Sequence, residues 1–130
     1  MGMYTELIFG AELKEDTPDK VVRALKYMIG ELEGKPLDFP LPDDRCDWLF
    51  QGSSYYFAIN YPVNKMWLDE IDHCWHISTR SNIKNYEGEI ETFLEWIKPY
   101  IQGGSGYTDM YAIVMYEESD KPTIYYLREE

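Results

Sequence analysis

Cysteine is scarce in this chain, with only Cys46 and Cys74 among 130 residues. Two are too few for a disulfide scaffold, and each is read as a small, half-buried hydrophobe kept reduced in a cytoplasmic setting. Basic side chains are also few. Twelve Lys and Arg stand against 24 Asp and Glu, a net charge of −12. That balance argues against nucleic-acid binding, which needs basic patches to neutralise phosphates. No apolar run approaches the roughly 18–20 residues of a membrane span. The opening MGMYTELIFG lacks the basic segment and apolar core of an export signal, and Glu6 stands where a myristoylation motif wants Ser or Thr. The expectation is a soluble, unexported protein with no membrane role.

Catalytic and ligand-binding signatures are missing too. There is no Walker motif, no Rossmann glycine fingerprint, no nucleophile elbow and no Asp-x-Asp-x-Asp-Gly calcium loop. The run Gly103-Gly104-Ser105-Gly106 follows a helix, so it offers no helix N-terminus to a phosphate and reads as a linker.

What the chain has in quantity is apolar and aromatic material: 45% hydrophobic residues, with twelve Tyr and four Trp. A chain of this length buries roughly two-thirds of its unfolded surface, enough for one globular domain over residues 1–130 without metal or disulfide. The clearest element is residues 82–101. Tyr86, Ile90, Phe93, Leu94, Ile97 and Ile101 recur at three-and-four spacing, one apolar helical stripe, with Glu87, Glu89, Glu91, Glu95 and Lys98 on the solvated side. Asn85 is the expected N-cap, and Pro99 should kink or end the last turn.

Earlier, residues 3–13 alternate as a strand, Thr5, Leu7, Phe9, Ala11 and Leu13 on one face and Tyr4, Glu6, Ile8 and Glu12 on the other. Thr17-Pro18 predicts a capped helix start, with Val21, Leu25, Met28, Ile29 and Leu32 buried and Gly30 or Gly34 ending the helix in a left-handed cap. Pro36, Pro40 and Pro42 make residues 35–47 an extended loop. Trp48, Leu49 and Phe50 are read as a short strand. Residues 55–61, YYFAINY, and 73–80 are read as strands, while 66–71 suits either a short helical turn or a strand. A strand to Tyr116, a polar turn and a terminal strand from Thr123 to Leu127 close the chain as an antiparallel hairpin. The order β-α-β-β-β-α-β-β implies an α+β two-layer sandwich, a mainly antiparallel sheet of five or six strands with two helices on one face.

The most reactive-looking pair is Cys74 and His76, two apart on a strand and so facing the same way. A zinc site needs more ligands; Cys46 would join only if its loop folded over the strand, and His73 faces the other way, so no metal or cofactor is assigned. Nor is a Cys–His nucleophile, because strand neighbours stand side by side and no family signature surrounds the cysteine. No catalytic residue is assigned.

One face of a sheet covered on the other by helices remains to be explained. Tyr and Trp suit a protein interface, since each combines a large apolar body with a polar tip. The leading expectation is therefore a small acidic protein-binding module of inhibitor, immunity or anti-restriction type. It would contact a basic protein through Tyr4, Tyr56, Trp67, His76, Arg80 and Tyr125, with Asp43, Asp44, Asp69 and Glu70 steering. The alternative is a small-molecule binder or enzyme with a pocket under the 36–47 loop, lined by Trp48, Trp67, Cys74 and His76. A homodimer through the sheet face is a third.

Overall fold

The strict alternation of residues 5–13 builds the strand at the centre of the sheet. In the computed structural model, which describes residues 4–41, 44–50, 64–85, 88–103 and 109–127, β1 spans Thr5–Glu12. It is flanked on one side by β3 (Cys74–Ile83) and then β2 (Lys65–Asp69), and on the other by β4 (Met110–Tyr116) and β5 (Thr123–Tyr126). All four pairings are antiparallel, giving the order β2-β3-β1-β4-β5. Helices α1 (Asp19–Met28) and α2 (Glu89–Ile97) complete an α+β fold.

The register decides which side chains meet the helices. Leu7 lies opposite Ser81 and Val114, and Phe9 opposite Thr79 and Ala112, so these rows share the helix face. Phe9, Phe50 and Phe93 form its centre: Phe93 stands edge-on to both other rings, with centroids 5.1 and 5.2 Å away. Both helices contribute to the same core, α1 through Val21, Val22, Leu25 and Met28 and α2 through Ile90, Phe93, Leu94 and Ile97.

Helix α1 ends as its glycine implied. Gly30 has φ 89°, its N–H bonds the Tyr27 carbonyl, and Glu31 N–H bonds that of Lys26, a Schellman closure. Its start is shifted by one residue: Pro18 is the N-cap, and the Thr17 hydroxyl donates back to the Lys14 carbonyl. Asn85 is not the N-cap of α2, a position held by Gly88 at φ 70°, yet it performs the same service from further away. Its Oδ1 accepts from Ile90 N–H at 2.9 Å and its Nδ2 donates to Glu91. Glu89, expected on the solvated side, is buried at the first turn. Pro99 does end the α-helix, which gives way to a 3-10 turn over Lys98–Tyr100.

Two assignments change. Residues 82–83 belong to β3 and not to the helical stretch, because Asn82 and Ile83 pair with Glu6 and Thr5. Trp48, Leu49 and Phe50 form no strand: a 3-10 turn runs over Asp44–Trp48, and Leu49 and Phe50 plug the core beneath it. The ambiguous stretch after Asn64 resolves as strand β2. The expected strand at 55–61 lies outside the described residues. No helix among the described residues is long and apolar enough to cross a membrane.

Candidate functional site: the Cys74–His76 end of the open sheet face

Even-numbered residues of β1 and β3 point away from the helices. At the end of the sheet where β1 leaves it, three strands bring polar groups into register: Glu12 pairs with His76, Trp67 also pairs with His76, and Asp69 pairs with Cys74. The side chains converge accordingly. Cys74 Sγ lies 3.3 Å from Glu12 Oε1 and 3.7 Å from His76 Nε2. His76 Nε2 lies 3.6 Å from Glu12 Oε1 and 3.7 Å from Asp69 Oδ2. The Trp67 ring stacks on the imidazole, nearly parallel at 9° with centroids 5.2 Å apart.

Local structure holds the cluster in place. Asp69 Oδ1 accepts from the N–H groups of Ile71 and Asp72, an Asx-type turn that leaves Oδ2 aimed at His76. His73, at φ 56°, completes that turn in the left-handed region. The end of β1 is clamped from both sides, Leu13 N–H bonding the Trp75 carbonyl and Gln102 N–H the Glu12 carbonyl. Beside it lies a cavity of about 200 Å³ lined by Glu12, Leu13, Glu15, Asp72, Cys74 and Gln102.

Acidity shapes the chemistry here. Burial pushes the Cys74 thiol up to about 11, and the hydrogen bond to Glu12 and the negative charges of Glu12, Asp69 and Asp72 push the same way. Such surroundings oppose a free thiolate at neutral pH, so a cysteine nucleophile has no support here. Asp69 moves the other way: the two backbone N–H bonds, with help from His76, hold its carboxyl below the ordinary carboxylate value.

Of the residues singled out in the sequence, Trp67, His76 and Asp69 are brought together, and Glu70 is exposed in the adjoining turn. Arg80 lies on the same face, four residues further along β3, its backbone N–H donating to Asn64 Oδ1 at 2.8 Å. Tyr4 lies at the other end of β1, part-exposed beneath the Lys84 ammonium. Tyr125 is on the other face. It pairs with Ala112 and packs against Tyr111 on the helix side, so β5 presents Ile124 and Tyr126 to the open face instead. Tyr56, Asp43 and the Asp44 side chain lie outside the described residues. Among the described residues, the 36–47 loop does not lie over Cys74 and His76, where a pocket beneath it was expected. Phe39 packs on Tyr27 of α1 and Cys46 donates to the Glu89 carbonyl of α2, which puts the loop on the helix side, away from Cys74 and His76.

The residue missed from the sequence is Glu12. The signal was there in the alternation that set it on the same face as Glu6 and Ile8, but its partner lies 62 residues away in the chain. No protein-family model, curated protein or solved structure matches the chain.

Proposed function

We propose that this protein acts by binding another protein, basic in character, through the sheet face opposite its helices. The observation that carries the reading is the set of large apolar side chains on that face. Tyr4, Trp67, Met110, Ile124 and Tyr126 are each between 37% and 46% exposed, although a filled core lies on the other side of the same strands. Acids rim the face at one end, Glu12, Asp69, Glu70 and Asp72, within a chain of net charge −12. Rings of this kind supply lifetime to a complex, and a strong field of one sign supplies its on-rate. An inhibitor or immunity-type role in the cytoplasm fits this combination. The small-molecule alternative has less behind it, because two cavities at this end of the sheet, about 200 and 490 Å³, are lined mainly by polar and charged side chains, whereas ligand pockets are mostly apolar.

Affinity capture from the native host's lysate, at low and at high salt, tests the reading. A basic protein retained at low salt and released at high salt is the expected result. Retention of no specific protein under either condition contradicts it, and light scattering at two concentrations then asks whether the face pairs with a second copy.

A further inference from the structure

We propose that Glu12, Cys74 and His76 form a binding site for a divalent transition-metal ion, zinc by preference, which ties together the ends of β1 and β3. The donors are one carboxylate oxygen, one sulfur and one imidazole nitrogen. That mixture suits zinc or cobalt and does not suit magnesium or calcium, which want oxygen throughout.

Geometry carries the inference. A zinc ion with bonds of about 2.0–2.3 Å, at the centre of a tetrahedron, needs ligand atoms about 3.3–3.8 Å apart. The three donor separations, Glu12 Oε1 to Cys74 Sγ, Cys74 Sγ to His76 Nε2 and Glu12 Oε1 to His76 Nε2, are already 3.3, 3.7 and 3.6 Å. Glu12, Cys74 and His76 form a group whose ligand atoms all lie within 4.8 Å of one another, and Asp69, Asp72 and Cys74 form a second. A solvent molecule would complete the tetrahedron, as in zinc sites with three protein ligands.

The surroundings are those of a supported site. The His76 ring plane is set by the stacked Trp67, the kind of outer partnership that fixes ligand direction, and Asp69, oriented by the Ile71 and Asp72 amides, stands beside it. Glu12, Asp69 and Asp72 bear on one thiol, and among the described residues no lysine or arginine bonds any of the three, a charge arrangement that a dication relieves. Binding forms a sulfur–metal bond in place of the S–H bond of Cys74, and the proton leaves to solvent. Cys46 takes no part, being buried against α2 on the far side of the sheet. The inference does not depend on the protein-binding reading.

The experiment is a Co2+ titration of the full chain after chelator treatment, followed in the visible and near ultraviolet. The expected result is saturation at one equivalent, with the d–d bands of tetrahedral cobalt and a thiolate-to-cobalt charge-transfer band, all abolished by added Zn2+. C46S should leave the spectrum unchanged and C74S should remove the charge-transfer band. Because Cys74 is buried, H76Q and E12Q provide a second arm at part-exposed positions, and each should weaken Co2+ binding by about tenfold or more. A wild-type spectrum without the charge-transfer band would overturn the proposal, as would C74S retaining that band or H76Q binding within about twofold of wild type.

Discussion

Phe93 meets Phe9 and Phe50 edge-on and is fully buried, so its truncation leaves a cavity that neither neighbouring ring can fill without losing its own contacts. Phe93→Ala should lower the unfolding free energy by about 3–5 kcal/mol, read from the denaturant midpoint at unchanged slope. Tyr27 makes a smaller but pH-dependent statement. Its hydroxyl donates to Asp47, which Lys35 also holds at 2.9 Å. Burial, then the charge and hydrogen bond of Asp47, raise its ionisation above the ordinary value of 10.0. A group whose folded value is raised contributes stability that is present below the unfolded value and is lost as pH climbs through the folded one. Stability should therefore begin to fall above about pH 10, and Tyr27→Phe should remove that part of the fall. An identical alkaline slope in wild type and Tyr27→Phe would count against the assignment.

Two chain ends of helices rest on single residues, and each can be tested at the scale of the element. Asn85 is the side chain that satisfies the Ile90 amide at the start of α2, so Asn85→Ala should cost about 1 kcal/mol. Gly30 closes α1 at φ 89°, where a Cβ is strained, and Gly30→Ala should cost about 1–2 kcal/mol. Both follow from thermal and chemical denaturation. The elements themselves were largely legible in the sequence because their signals are local: alternation in Thr5–Glu12, three-and-four spacing from Ile90 to Ile97, and glycine after Met28. What was not legible depends on pairing. Ser81, Asn82 and Ile83 look like a helix approach until β1 offers them partners, and Leu49 and Phe50 look like strand until the space between Phe9 and Phe93 claims them. The same holds for the cluster: Cys74 and His76 could be placed side by side from their spacing, but Glu12 and Asp69 reach them only through the antiparallel register with β1 and β2. Tyr125 shows the reverse case, since a bulge between Met110 and Ala112 sets which face the β5 side chains take.

For the molecule as a whole, the two sides of the sheet differ in kind. One carries a closed core roofed by α1 and α2. The other carries part-exposed rings and aliphatic side chains with acids at one end and the buried Glu6 towards the other, and the protein-binding reading makes that side the working surface. Its charge predicts a complex whose association slows as salt rises, because the screening length shrinks from about 8 Å at 0.15 M to about 3 Å at 1 M. Dissociation should respond far less, being set by the buried rings. The most direct measurement is the affinity of the captured partner, by calorimetry, for three forms of the protein: wild type, the open-face variant Trp67→Ala with Tyr126→Ala, and the helix-face variant Lys20→Ala with Glu95→Ala, all four positions being exposed. The open-face pair should weaken binding by at least about tenfold at unchanged melting temperature, since buried aromatic anchors carry most of an interface's energy, while the helix-face pair should stay within about twofold. Equal affinities for wild type and the open-face variant, or a loss confined to the helix-face variant, would contradict the assignment of the open sheet face.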